Sequence, residues 1–437
     1  MSFIADKQTL DDLSLLGKYN PNSVFSLFNK VKTRGAEKLL DAMFQQPLTD
    51  AGKINSRSAI FRYFSDNPVA FPFDDAMLDR MEAYVDGAGE SSLMLSFFQV
   101  TRKKLAEVLL RGEEFQLEMT GINSTLQVIK TAEGLLKQLE KEGRDKNTPW
   151  EKWAGIVRHI VQDPRLKERS ADQLSFFQVV KLHELLTGQF RGQLIQLLQL
   201  TYEIDLYIAV AGVARERGFS YATAFPKSDN LLSAKGVRHP GLDKAVPNSL
   251  SFNGKSNVLF LTGANMAGKS TLMKSTGILV YLAHMGFPVA ATELQFSVLD
   301  GIYSSVNVPD DINKGYSHFY AEVLRVKKVA EEVADGKSLF IIFDELFKGT
   351  NVKDAYDATL AVTEAFTDFT DCFFIISTHI FEAGHALDKM EDQIQFRFLP
   401  TVMKDNVPQY TYQLEKGITT DRQGMIIIEN EGILDML

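Results

Sequence analysis

The 437-residue sequence has a single cysteine, Cys372, so an internal disulfide is excluded and a reducing compartment fits. Its opening residues, MSFIADKQTL, lack a basic stretch followed by an apolar one, and no secretory signal is read. No run of about 18 apolar residues is read either, so no membrane span is expected and the chain is placed in the cytoplasm. Strong positive charge is also missing. The net charge is −9, with 28 basic and 29 acidic residues in 1–220 against 19 and 27 in the remainder. A protein that grips nucleic acid nonspecifically displays a basic face. Any such face here must be local and in the N-terminal half. The stretch TRKK at 101–104 is the candidate, with a solvated helix face as the plainer reading.

What is present reads as two different halves. An apolar fraction of 45% and a charged fraction of 24% are globular values, and the length fits two or three domains. In residues 1–220, stretches such as GINSTLQVIKTAEGLLKQLEKEG (121–143) place apolar residues at i, i+3, i+4 and i+7, which predicts helices. The hexamer LSFFQV occurs twice, at 95–100 and 174–179, on unlike flanks, and reads as two helices with similar packing surfaces rather than a repeat. From 221 onward, apolar strands such as NVLFLTG (257–263), SLFIIFDE (338–345) and DCFFIIST (371–378) alternate with helical patterns. Fully apolar strands alternating with helices predict a parallel sheet covered on both faces. The fold class is therefore α/β with a helical N-terminal part, divided into 1–220 and 221–437.

Between the first of those strands and a helix lies GANMAGKS, which fits G-x-x-x-x-G-K-[ST]. Gly263 and Gly268 permit the tight path that turns successive N–H groups inward, and the helix N-terminus adds its positive dipole end. The expected ATP-binding residues are Gly263, Ala264, Asn265, Met266, Ala267, Gly268, Lys269, Ser270 and Thr271. Lys269 would reach the β- and γ-phosphates, and the Ser270 hydroxyl would ligate Mg²⁺. The strand LFIIFDE ends in two carboxylates. Asp344 would help hold Mg²⁺, and Glu345 would orient and deprotonate the attacking water. His379, after the next strand, would sense the γ-phosphate.

These residues carry a resemblance. GANMAGKST, FDELFKGTN, STHIFE and VRHPGLDKAVPN (237–248) together resemble the MutS family of ABC-type ATPases, as does the Asn265-Met266 pair inside the loop. SVFSLFNKVKTRGAEKLLDAMFQQPLTDAGKINSRSAI (23–60) resembles the start of that family's core domain, including Thr33, Gly35 and the Gln46-Pro47-Leu48 stretch. EIDLYIAVAGVA (203–214) resembles the helix that returns from its lever. The resemblance implies a core or lever helical domain followed by an ABC-type P-loop ATPase domain. It implies ATP hydrolysis with Mg²⁺, an ATP-dependent homodimer with Ser317 of DDINKGYSHFYAEV reaching the second subunit's nucleotide, and a role in DNA mismatch repair or related DNA-structure processing. The sequence departs from the family at Phe347-Lys348, which replace Gly-Arg, and at Ala245, where the family often has an adenine-stacking aromatic; Tyr412 would stack instead. The family's mismatch-reading domain carries a Phe-x-Glu wedge. The only Phe-x-Glu here is Phe343-Asp344-Glu345, and the sequence starts almost directly at core-domain-like residues. DNA binding is therefore expected without mismatch specificity. The alternative is an ATP-driven dimer clamp acting on a protein partner.

Overall fold

A computed structural model of the chain describes residues 2–87, 100–103, 114–142, 148–166, 174–264, 266–306, 318–390, 392–404 and 407–419. It is a mixed α/β structure. The N-terminal part begins with a short strand β1 (Ile4–Ala5), then helices α1 (Lys7–Asp12), α2 (Val24–Phe28), α3 (Arg34–Gln45), α4 (Ala51–Asp66) and α5 (Asp75–Gly87). The long α6 (Glu114–Glu142), α7 (Glu151–Val161), α8 (Phe176–Glu184), a π-helical turn over Leu185–Gln189, and α9 (Arg191–Arg217) follow. α9 is long and apolar enough on average to cross a bilayer by length and composition, although polar residues interrupt it and it holds no continuous apolar run; 61% of its apolar window is buried within the fold. Buried positions such as Leu194, Leu198, Val210 and Val213 mark it as a core helix.

The structure divides into two compact units, though not at residue 220. A helical unit comprises Asn29–Ala42 and Ile60–Gly212, and an α/β unit comprises Met1–Phe28, Met43–Ala59 and Val213–Leu437. The early segments join the α/β unit for reasons of packing. β1 pairs in parallel with a sheet strand at Gly301–Ser305. Phe28 and Phe44 pack edge-on against Phe287 at 5.4 and 5.7 Å between ring centroids.

Within the helical unit, the Thr33 and Gly35 positions have physical reasons. Thr33 Oγ1 accepts the N–H of Ala36 at 3.2 Å, capping α3. The buried Asp205 of α9 accepts the N–H groups of Lys32 and Thr33, each at 2.9 Å, and the Thr33 hydroxyl at 2.8 Å. A carboxylate thus sits at the N-terminus of α3, where the helix dipole favours it. Gly35 is a glycine because a Cβ there would lie 2.4 Å from the Tyr202 ring. The second LSFFQV begins α8, where Ser175 and Gln178 form a capping box; most of the first copy lies outside the described residues. Of TRKK, Lys103 forms an ion pair with the buried Glu118 at 3.0 Å, so it is engaged inward and not part of a free basic face.

The α/β unit continues with β2 (Ser220–Tyr221), β3 (Thr223–Phe225), β4 (Leu231–Val237), β5 (Asn248–Asn253), β6 (Val258–Gly263), α10 (Lys269–His284), β7 (Pro288–Val289), β8 (Glu293–Ser297), β9 (Gly301–Ser305) and α11 (His318–Ala334). It then runs through β10 (Leu339–Asp344), α12 (Val352–Thr367), β11 (Phe373–Ser377), α13 (Phe381–Leu387), β12 (Ile394–Leu399), β13 (Thr401–Lys404), β14 (Val407–Tyr410) and β15 (Glu415–Lys416). The main sheet has the order β1-β9-β10-β11-β6-β12-β15 and is parallel except for β15. A second sheet has the order β3-β8-β4-β5. β6, β9 and β11 are buried at every residue, and β10 at every residue but Asp344. That burial is why their sequences are almost continuously apolar. Since β6, β11 and β10 are adjacent and parallel, their C-terminal ends lie at one edge of the sheet. In open α/β sheets ligands bind at that edge.

Candidate functional site

At this edge the loop after β6 and the ends of β10 and β11 converge. Gly263 and Gly268 adopt φ of 148° and 99°, backbone that a side chain strains. A Cβ on Gly268 would lie 3.0 Å from the Tyr412 ring, and one on Gly263 3.2 Å from the Leu399 carbonyl oxygen. The loop glycines therefore serve close approach as well as conformation. Met266 also has a positive φ, 72°, and is 77% exposed. Ala267 is fully buried and its N–H donates to the Ala264 carbonyl at 3.2 Å.

Lys269 is buried at the first position of α10, and its ammonium donates to the carbonyls of Gly263 at 2.8 Å and Ala264 at 3.2 Å. Burial pushes its pKa down, opposed by the Asp344 and Glu345 carboxylates. A buried cation held by loop carbonyls is poised to move to an anion. The Ser270 hydroxyl donates to Asp344 Oδ2 at 2.5 Å. The other oxygen, Asp344 Oδ1, is buried and has no hydrogen-bond partner among the described residues. A hydroxyl and a carboxylate with an unspent buried oxygen are a hard-oxygen donor set that fits Mg²⁺.

Glu345 follows with φ of 56°, and its N–H donates to the Ser377 carbonyl at 2.9 Å. A non-glycine residue held in this region is strained, and such strain gathers at functional sites. Its carboxylate lies 3.4 Å from His379 Nδ1 and 3.5 Å from Lys348 Nζ. Lys348, one of the positions that depart from the family pattern, thus faces the same carboxylate as His379.

A cavity of about 670 Å³ opens beside these groups. Ala264, Met266, Gly268, Lys269, Ser270, Thr271 and Glu345 line it. His239, Leu242, Ala245, Asn248 and Tyr412 also line it. Tyr412 stands at φ 55° and is 45% exposed. Its position is set by Asn248, which donates to the Tyr412 carbonyl at 2.9 Å and accepts the Leu414 N–H at 2.7 Å. The sequence offered Asn248 only as the last letter of VRHPGLDKAVPN, and nothing local marked it as the residue that seats Tyr412. Burial, with Lys274 nearby, lowers the His239 pKa. Of the expected site residues, Asn265 and Ser317 lie outside the described residues. The others gather at this sheet edge, Asp344 through Ser270 and His379 through Glu345.

Residues 259–435 match the family model MutS domain V. The DNA mismatch repair protein MutS of Pseudothermotoga lettingae is 24% identical over 99% of this chain and 63% of its own length. Over these residues the chain is similar to the MutS family. The MutS of Fusobacterium nucleatum is 31% identical over half of this chain and a quarter of its own length. That of Thermus thermophilus is 30% identical over half of the chain and 27% of its own. The chain thus spans from a quarter to 63% of these MutS relatives. The stronger identities cover about half of the chain, and the family-model match starts at β6 and takes in residues 263–271 and the Asp344–Glu345 pair.

Proposed function

We propose that the α/β unit is an ABC-type P-loop ATPase that converts ATP and water to ADP and phosphate. The observation that carries this reading is the Ser270–Asp344 bond at 2.5 Å, with Lys269 folded onto its own loop carbonyls at the mouth of the cavity. Ser270 and Asp344 would hold Mg²⁺, which when bound neutralises charge on the phosphate oxygens. Lys269 would exchange the Gly263 and Ala264 carbonyls for phosphate oxygens. Glu345 would take the proton from the attacking water, and its placement between His379 and Lys348 keeps it near the γ-phosphate end. Ala245 and Tyr412 line the part of the cavity left for the base, with Tyr412 as the stacking ring.

Replacing Glu345 with Gln removes the base but leaves the cradle intact. Turnover falls at least a hundredfold, in the range of general-base loss, while affinity for a fluorescent ATP analogue stays within twofold. Turnover that survives unchanged rejects Glu345 as the base. The same variant, trapped with ATP, gains mass in light scattering over its ADP form if Ser317 completes a second subunit's site; a constant mass rejects the composite dimer.

The relatives' role in mismatch repair supports an action on DNA in the cytoplasm. The near-neutral balance of residues 1–220 argues against a strong grip on duplex. The only Phe-x-Glu lies in β10, where Phe343 is 1% exposed and cannot act as a wedge. DNA binding without mismatch reading is therefore the preferred form. Absence of any DNA binding at low salt with ATP would move the reading to a dimer clamp on a protein partner.

A further inference from the structure

The N-terminal stretch that precedes α2 is bound to the α/β unit more elaborately than a two-residue edge strand requires. The Ile4 N–H donates to the Asp300 carbonyl at 2.8 Å, and Gly301 accommodates the approach: a Cβ there would lie 2.4 Å from the Ile4 carbonyl oxygen. Asp6 caps α1, accepting the Thr9 N–H at 3.1 Å. It is also ion-paired to Arg325 of α11 and lies 2.9 Å from Lys328. The buried Thr9 hydroxyl accepts the Ser304 N–H at 3.0 Å and an Arg325 N–H at 3.0 Å. Asp12, 4% exposed, accepts the Val306 N–H at 2.9 Å and the Ser304 hydroxyl at 3.1 Å. These bonds close the C-terminal end of β9. That end pairs Ser305 with Phe343, the residue before Asp344.

The following residue reaches the site's other half. Leu13 is 1% exposed and lies where α10 crosses β10. A Cβ on Gly277 of α10 would lie 2.8 Å from Leu13 Cδ2 and 3.0 Å from Ile342 Cδ1 of β10. A glycine in the interior of a helix costs about 1 kcal/mol against alanine, so its presence under Leu13 reads as a seat cut for that side chain. Ser270 lies at the start of α10 and Asp344 at the end of β10, and their 2.5 Å bond fixes the spacing of those two elements at the site. Leu13 is packed into the same spacing two turns further along α10.

We propose that residues Phe3–Leu13 are a positioning strap for nucleotide turnover, keying β9 and α11 through Asp6, Thr9 and Asp12 and setting the distance between α10 and β10 through Leu13 on Gly277. The proposal rests on the ATPase reading given above. Its logic is mechanical: a packed interior has discrete arrangements, so removing the wedge changes the α10–β10 spacing in a step that the Ser270–Asp344 pair feels.

The test is a double-mutant cycle on the full chain. Leu13→Ala lowers kcat at least fivefold, while the KM for ATP and the affinity and stoichiometry for a fluorescent ATP analogue stay within twofold. Adding Gly277→Ala puts a methyl group back into the gap and returns kcat to within twofold of the parent protein. A folded Leu13→Ala protein with kcat within twofold of the parent overturns the proposal. So does a fall in kcat matched by an equal fall in nucleotide stoichiometry, since that is loss of folded protein. If Leu13→Ala does not fold, Asp12→Ala against Asp12→Asn carries the same test, because the amide oxygen keeps the Val306 bond; kcat lost in the alanine variant and restored in the asparagine variant supports the strap, and equal rates in both overturn it. If the parent protein turns over no ATP, the ATPase reading has failed and the strap is judged by hydrogen exchange at residues 270–277 and 301–306. Faster exchange confined to those amides in Leu13→Ala supports it, and unchanged exchange overturns it.

Discussion

Asp205, which is buried, and Asp344, which is half-buried at the end of β10, are carboxylates in the two different units, and they spend their oxygens differently. Asp205 is 1% exposed and is satisfied by the N–H groups of Lys32 and Thr33 and by the Thr33 hydroxyl. Asp344 gives one oxygen to Ser270 and leaves the other buried without a hydrogen-bond partner among the described residues. The helical unit uses its buried charge to fix where a helix begins. The α/β unit keeps part of its charge unspent beside a cavity. A buried polar group left unpaired costs about 1–3 kcal/mol, so such a group in a native fold marks a place where something else is to bind.

The comparison can be broken in order of expected size. Asp205→Ala leaves the buried Thr33 N–H and hydroxyl and the part-buried Lys32 N–H without their acceptor, and a loss of about 3 kcal/mol is expected, read by urea denaturation of the full chain. Nucleotide affinity should stay unchanged, because the residue has no part in the site. A simultaneous loss of nucleotide binding would erase the distinction between the two carboxylates.

A second effect belongs to the α/β unit's interior. His284 is fully buried, bonded through Nδ1 to the Leu48 carbonyl at 2.8 Å and through Nε2 to the Leu299 N–H at 3.3 Å. Burial pushes its pKa from the usual 6.5 down to about 4. The unfolded chain binds a proton on this histidine near pH 6.5 and the folded chain does not until about pH 4. Its stabilising contribution is therefore complete above pH 6.5 and is lost as pH falls through that window, at up to about 1.4 kcal/mol per unit. Stability measured from pH 7 to 4.5 should fall less steeply in His284→Gln than in the parent; identical slopes would show that the ring titrates normally.

Smaller effects sharpen the reading of the site. Tyr412→Ala should weaken ATP binding by about 1 kcal/mol, the worth of an aromatic contact, measured by fluorescence titration with kcat little changed. An unaltered affinity would mean that the ring does not meet the base. The smallest expected effect concerns DNA. Discrimination between a G·T mismatch and homoduplex should stay under about threefold, or roughly 0.7 kcal/mol. A tenfold preference would place a reader somewhere in residues 1–220, and the helical unit would then hold a functional surface of its own.

Much of the site was legible because its chemistry is local. GANMAGKS needs only its own glycines and the helix that follows, and LFIIFDE combines a buried strand with two carboxylates. Gly277 and Gly301 were not legible. In the sequence they look like ordinary weak points of a helix and a strand, and their reason is a side chain or carbonyl arriving from more than 250 residues away. That residues 1–28 and 43–59 cluster with the α/β unit was not legible for a similar reason. Helical periodicity in residues 1–60 reports that an apolar face exists, and says nothing of whether it packs on other helices or on Phe287 and the sheet edge.

The sequence by itself determined the phosphate-loop pattern, the parallel apolar strands and the acidic pair that closes one of them, because these depend on backbone conformation and burial within short stretches. The tertiary structure alone decided that Asn248 seats Tyr412, that Lys348 and His379 flank Glu345, and that Leu13 is wedged beside Gly277. Those relations depend on which distant segments meet, and pairings across hundreds of residues are fixed by the packing of the whole interior rather than by the pattern of any one segment.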